Sequence, residues 1–97
     1  MTDEKLKSIF QKYREHLDIV YPKVAPRQIS DAETHGPVGN LSRIDTTAHF
    51  KFMCDEAQLF VDQGRVEKAR RWLGFLQGSF WMDDVFTLDQ LKKHSMP

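Results

Sequence analysis

The 97-residue sequence contains a single cysteine, Cys54, and only four prolines. One cysteine cannot form an internal disulfide, which excludes a disulfide-stabilised scaffold and favours a reducing cytoplasm. The sequence also lacks the run of about 20 apolar residues that a membrane span requires, and its acidic N-terminus lacks the basic region of a signal peptide. We therefore expect a soluble, intracellular protein with no membrane-spanning segment.

Neither sign of charge is in excess, because 14 lysines and arginines balance 14 aspartates and glutamates. A net charge of zero excludes a strongly basic nucleic-acid-coating protein and an acidic DNA mimic as descriptions of the whole molecule. The length suits one domain, and 40% hydrophobic residues with 29% charged residues is an ordinary globular composition. We expect a single helical domain over residues 1–97.

Apolar residues recur at helical spacing in three long segments, which predicts an all-α fold. The expected architecture is a small bundle of three main helices plus a short C-terminal helix, at about 3–20, 46–63, 65–82 and 88–94. Thr2 and Asp45 are expected to cap the first two helices, and Gly64 is expected to end the second. Thr87 has capping-box spacing from a glutamine, and Leu88 and Leu91 are expected to pack back on the bundle.

Residues 21–43 form a long irregular connection that contains three prolines and two glycines. Connections of this length are uncommon in compact domains, and they are usually functional or disordered. Residues 26–33 could form one or two helical turns, with Pro26 at the first helical position. The sequence leaves open whether these turns form.

Two features of the second and third helices need an explanation. The second helix is apolar over more than half its circumference because Phe52 and Leu59 lie outside its main apolar face, which indicates a central position or a second contact surface. Gly74 and Gly78 lie inside the third helix, although glycine there costs about 1 kcal/mol relative to alanine. We first interpret the two glycines as sites of tight packing within the monomer. The alternative is a groove for self-association or for a partner.

The third helix begins with four basic side chains, called the basic set below: Arg65, Lys68, Arg70 and Arg71. Aromatic side chains follow them along the helix. We expect the basic side chains to pair with the acidic side chains of the second helix and to remain solvated. The alternative is a binding patch for phosphates or for an acidic protein surface. The candidate partner-binding residues are Arg65, Lys68, Arg70, Arg71, Trp72, Phe75 and Trp81.

No residue pattern predicts catalysis, a metal site or a cofactor. Cys54 lies on the apolar face of the second helix, where a buried, inert thiol is the normal case. The four histidines have no pair at helical i, i+3 or i, i+4 spacing, so zinc-ligand spacing is missing. We expect a protein that is not an enzyme.

The stretch EKARRWLGFLQGSFW at residues 67–81, with the Met53-Cys54 pair before it and Thr87 to Lys92 after it, resembles a pattern in small uncharacterised helical proteins encoded by bacteriophages and prophages. The resemblance covers about residues 49–93. Where this chain has Met82 to Val85, the pattern has a turn that contains glycine. The resemblance implies an accessory protein that acts in a bacterial host cytoplasm, and it implies no catalytic residue.

Three hypotheses follow for the function. The first is a non-enzymatic module that binds and modulates a host or phage protein through exposed aromatic side chains. The second is a nucleic-acid-binding regulator that uses the basic set, which the neutral overall charge makes less favourable. The third is a homo-oligomeric structural or assembly protein whose second apolar face is a homodimer interface.

Overall fold

A computed structural model describes residues 1–96 as a bundle of helices. The helices are α1 (Asp3–Val20), α2 (Asp31–Thr34), α3 (Arg43–Asp62), α4 (Val66–Met82) and α5 (Leu88–Ser95). The part of the chain that the structure describes contains no strand. This confirms the all-α prediction of three main helices plus a short C-terminal one.

Helix α3 occupies the central position, because it packs against both α1 and α4. The core consists of apolar side chains from these three helices and one from α5: Leu6, Ile9, Phe10, Tyr13, Leu17, Met53, Cys54, Ala57, Phe60, Val61, Ala69, Leu73, Leu76, Phe80 and Leu91. A helix with neighbours on two sides must be apolar on two sides, which explains the wide apolar surface of α3. Phe52 packs half-buried against the core, whereas Leu59 remains 50% exposed.

Helix α3 begins three residues earlier than predicted. The Ser42 hydroxyl accepts a hydrogen bond from the Asp45 backbone N–H at 3.1 Å, and the Asp45 carboxylate accepts one from the Ser42 N–H at 3.0 Å. Asp45 is therefore the third residue of the helix and not its N-cap. The earlier start is favoured because this reciprocal pair satisfies two backbone donors, whereas an Asp45 cap would satisfy one.

Two of the helix ends use a residue in the left-handed conformation. Gly64 ends α3 with φ of +78°, as predicted, and the Arg65 N–H donates to the Phe60 carbonyl at 2.7 Å. Asp84 takes the same role after α4 with φ of 60°, and the Val85 N–H donates to the Phe80 carbonyl at 2.8 Å. Aspartate tolerates this conformation better than most residues, which explains how the chain turns here without a glycine.

The connection after α1 contains one short helix. Helix α2 begins after Ser30, whose hydroxyl accepts from the Glu33 N–H at 3.2 Å while the Glu33 carboxylate accepts from the Ser30 N–H at 2.9 Å. The sequence leaves open whether a helical turn forms here, and the structure contains one turn, in which Pro26 is not the first position. This capping box starts the helix at Asp31 and leaves Pro26 outside it.

Arg27 joins the connection to the bundle through two carboxylates. Its guanidinium donates to both oxygens of Glu33 at 2.8 and 3.0 Å and to Asp45 at 3.2 Å, so it links the capping boxes of α2 and α3. The Arg27 backbone N–H also donates to the Ala48 carbonyl at 3.0 Å. The hydrogen bonds from Arg27 lower the pKa of Glu33 from 4.5 to about 2.

We expect acid to detach residues 26–35 before the bundle unfolds. Because the pKa of Glu33 is lower in the folded chain than its unfolded value of 4.5, this clamp stabilises the fold above that pH and is lost as the pH falls towards about 2. Amide hydrogen exchange measured by NMR should show the Arg27 amide losing protection over that range while the amides of α1 and α4 keep theirs. The variant Glu33→Gln should remove most of this pH dependence. An Arg27 amide that stays protected down to pH 2 would contradict the expectation.

A buried lysine holds the end of α1 against α3. Lys51 is 1% exposed, and its Nζ donates to the carbonyls of Tyr21 and Val24 at 2.7 Å each. The same Nζ lies 2.9 Å from a carboxylate oxygen of Asp18. All three partners belong to the last turn of α1 and the segment that follows it, so Lys51 determines where the chain leaves the helix.

Candidate protein-binding groove

An open groove of about 810 Å³ lies along α4, beside the start of α3. Residues of both helices line the groove. They include Arg43, Phe50, Gly74, Phe75, Gly78 and Trp81. The sequence pattern places these two glycines on the face of α4 opposite the buried residues Leu73 and Leu76, because residues four apart lie on the same side of a helix. The floor of the groove is therefore part of a helix face that the core does not use.

The two glycines make no close contact in the described structure. A Cβ atom added to Gly74 or to Gly78 would meet no other heavy atom within 4 Å. The interpretation of tight packing within the monomer is therefore wrong. Because neither glycine has a side chain, the surface of α4 is low at these two positions, and both glycines line the groove.

Large apolar side chains stand beside this glycine floor. Phe75 is 56% exposed and Trp81 is 48% exposed, and both line the groove. Met82, at the end of the helix, is also exposed. Phe75 touches Phe50 at a ring-centroid distance of 6.3 Å, so one edge of its ring is supported by α3. Single exposed apolar residues are normal, but a contiguous set around a concave surface is typical of an interaction site.

A second shallow groove of about 480 Å³ continues this surface between α4 and α5. It shares Gly78 and Trp81 with the first groove and adds Leu88 and Met96. Leu88 is 53% exposed, so the prediction that it packs back on the bundle is wrong. Leu88 is the first residue of α5, and the side chain one turn later, Leu91, is the one that faces the core.

Trp72 lies apart from the other two predicted aromatic anchors. Its ring is half-buried between α3 and α4, with centroids 4.8 Å from Phe60 and 6.5 Å from Phe52. The structure therefore brings Phe75 and Trp81 to one groove and places Trp72 at the edge of the core.

Three of the four side chains of the basic set contact other side chains of the same chain. The Arg65 guanidinium lies 4.9 Å and the Lys68 Nζ 4.6 Å from the centre of the Phe60 ring, and Lys68 also lies 5.7 Å from the Trp72 ring. Such cation–π contacts hold both cations close to the protein surface. Arg70 makes a loose ion pair with Glu67 at 3.7 Å, and Arg71 is exposed.

The expected pairing of these cations with the acidic side chains of α3 is wrong. Asp62 pairs with Lys7 at 2.6 Å, and Asp55 pairs with Arg14 at 3.0 Å. Both cationic partners belong to α1. The central position of α3 explains the difference, because Asp55 and Asp62 lie on the side of α3 that faces α1.

The side chains with potential chemical reactivity are inert or separated. Cys54 is fully buried, and burial raises the pKa of its thiol to about 12, so the nucleophilic thiolate is scarcely populated at neutral pH. Within residues 1–96 no three histidine, cysteine or carboxylate side chains are grouped to hold a metal ion. No helix in that part of the chain is long and apolar enough to cross a bilayer.

The main walls of the two grooves, α4 and α5, come from the segment that resembles phage-encoded proteins. Comparison of the chain with protein-family models, curated proteins and solved structures gives no match. The resemblance to phage-encoded proteins therefore stays a prediction.

Proposed function

We propose that the chain is a non-enzymatic interaction protein that binds a segment of another protein in the groove along α4. The observation that carries the proposal is the open glycine floor beside exposed aromatic side chains. The resemblance at residues 49–93 supports a phage-type accessory role in a bacterial cytoplasm, with a host or phage protein as the partner that is bound and modulated.

The shape of the groove favours a helix as the bound segment. Gly74 and Gly78 lie one helical turn apart, so the backbone or small side chains of a partner helix can approach α4 closely between Phe75 and Trp81. Helix-in-groove recognition uses apolar anchors at i, i+3 or i+4 and i+7. Arg43 and Asp83 also line the groove and can contact polar groups of that helix.

The exposed aromatics supply the apolar contribution that such binding needs. Burying a large apolar side chain contributes about 1.5–3 kcal/mol. Phe75 and Trp81 are already about half buried in the free chain, so together they contribute about 1.5–3 kcal/mol, which falls short of the estimated entropic cost of association. Contacts along the glycine floor must supply the remaining free energy of binding. Binding therefore requires the floor of the groove as well as its aromatic walls.

The first test compares Trp81→Ala with Phe80→Ala and Leu59→Ala. Trp81→Ala should leave the thermal midpoint nearly unchanged and remove the partner from pull-downs of nuclease-treated bacterial lysate. Phe80 is fully buried, so Phe80→Ala should cost about 3–5 kcal/mol of stability. Leu59 is as exposed as Trp81 but lies on α3, and Leu59→Ala should keep both stability and capture.

The same experiment separates the other two functions. Capture that disappears with nuclease, and affinity that falls steeply with salt, would favour the nucleic-acid-binding regulator. A light-scattering mass of two chains that returns to one chain in Trp81→Ala would favour a second copy as the occupant. We favour a different protein over nucleic acid because the chain has zero net charge and because Arg65 and Lys68 lie over the Phe60 ring.

A further inference from the structure

A smaller cavity of about 290 Å³ lies between α1 and α5 and shares no lining residue with the groove along α4. Ile9, Tyr13 and Phe86 form its apolar part. The remaining lining side chains are all basic: Lys5, Lys12, His16, Lys93 and His94. In a chain with zero net charge, this is a local concentration of positive charge.

The cations at this cavity lack strong partners within the chain. Among the residues that the structure describes, no carboxylate lines the cavity. Lys93 makes an ion pair with Asp89, but the pair is loose, at 3.5 Å, and both side chains are more than 70% exposed. An exposed pair of this kind contributes little, so Lys93 can turn to another anion at small cost.

A partly buried hydrogen-bond chain orients one of the histidines. Gln77 Nε2 donates to the Tyr13 hydroxyl at 3.1 Å and to the Ser95 hydroxyl at 3.0 Å. The Tyr13 hydroxyl also lies within hydrogen-bond distance of His94 Nδ1, at 3.0 Å. Because this contact engages Nδ1, the Nε2 side of the ring is the side left to meet a ligand.

The surroundings of His94 disfavour the charged form of its ring. Burial lowers the pKa of His94 below 6.5, and the charges of Lys12 and Lys5 lower it further. Lys12, Lys5, Tyr13 and His16 face it from α1, and Lys93 precedes it in α5. A bound anion would neutralise this field and favour the charged imidazolium.

We propose that this cavity binds a small organic anion that carries a phosphate or carboxylate beside an apolar group. The lysines and His94 would hold the anionic group, and the Phe86 ring would contact the apolar part. The Phe86 ring lies 4.9 Å from the ring centres of both His16 and His94, so apolar and cationic surfaces are adjacent. The volume of about 290 Å³ is at the small end of ligand pockets, which span about 300–1,000 Å³, and it suits a small molecule.

The test uses four probes on the intact chain: phenyl phosphate, inorganic phosphate, benzoate and neutral benzyl alcohol. Calorimetry should detect phenyl phosphate binding, and NMR titration should show that it raises the pKa of His94 by about 1. Inorganic phosphate and benzoate distinguish the two anionic groups. If benzyl alcohol binds as tightly as phenyl phosphate, or if neither phenyl phosphate nor benzoate binds, the proposal is wrong.

A pair of matched variants tests the place of binding. Lys93→Gln should weaken phenyl phosphate binding about tenfold, because it removes one charged hydrogen-bond donor. Lys92→Gln changes the neighbouring lysine, which lines the groove between α4 and α5, and should leave the affinity unchanged. Equal losses of affinity in both variants would show general charge attraction and would overturn the proposal.

The groove variant Gly78→Leu should bind phenyl phosphate normally. The proposal for this cavity and the proposed function of the groove are therefore tested independently of each other.

Discussion

Replacing Gly78 with leucine is expected to raise the thermal midpoint and, in the same molecule, to abolish partner capture. Leucine is favoured over glycine inside a helix by about 0.5–1 kcal/mol. An added Cβ meets no atom within 4 Å, and the rest of the leucine side chain points into the open groove. For a domain of this size the gain corresponds to about 3–6 °C in the midpoint.

The loss of capture follows because the new side chain occupies the floor of the groove. A partner helix that uses the glycine surface would be held several ångströms away from α4. Glu67→Leu adds the same side chain to α4 at an exposed position outside the groove and should keep capture. A more stable Gly78→Leu protein with full capture would show that the partner does not use the floor. A less stable one would show that the glycine is required for packing.

Replacing Lys51 with methionine is expected to lower the free energy of unfolding by about 3 kcal/mol. Methionine keeps the length of the side chain and removes the charged donor from two backbone carbonyls, and each charged hydrogen bond contributes about 1.5–3 kcal/mol. The loss is a large share of the roughly 5–10 kcal/mol expected for a domain of this size. Urea unfolding followed by circular dichroism measures it directly, and the midpoint of thermal unfolding should fall by about 10–20 °C.

Asp18→Asn is the control for the carboxylate partner of Lys51, and it also removes the ion pair of Asp18 with Arg14. Asp18 is about half exposed, so its loss leaves the lysine bonded to the carbonyls of Tyr21 and Val24 and should cost much less than Lys51→Met. The hydrogen bond from Lys51 lowers the pKa of Asp18 below 3.8, so the contribution of this pair is present above that pH and is lost in stronger acid. A Lys51→Met protein within 1 kcal/mol of the parent protein would contradict the assigned role.

Helical periodicity and capping chemistry predict most of the fold because both are local. Thr2 caps α1, Gly64 ends α3, and Thr87 caps α5, all as the sequence predicts. The start of α3 is less certain from sequence because Ser42 and Asp45 are both good caps. The reciprocal box at residues 42–45 decides between them.

The groove is only partly visible in the sequence. The pair Gly74 and Gly78 is conspicuous, but spacing alone does not say whether a neighbour covers it. The helical positions do carry a signal, since the buried stripe through Leu73 and Leu76 lies on the other side of the helix. Phe75 is a large apolar residue that lies outside this buried stripe, and such a position indicates an outward-facing site.

Other features depend on contacts between distant parts of the chain. A lone lysine on an acidic helix resembles a surface residue, and nothing near Lys51 in sequence indicates that carbonyls of residues 21 and 24 surround it. The same holds for Tyr13 and His94, which are 81 residues apart. Such pairs follow from tertiary packing, which periodicity does not determine.

The most direct test of the groove is the NMR response of the two tryptophan indole N–H groups when the captured partner is added. Trp81 lines both grooves along α4, whereas Trp72 is packed against Phe60 at the edge of the core. We predict that the Trp81 indole signal shifts or broadens on binding while the Trp72 signal is unchanged. A shift confined to Trp72 would place the partner on the basic surface at the start of α4 and would contradict the account.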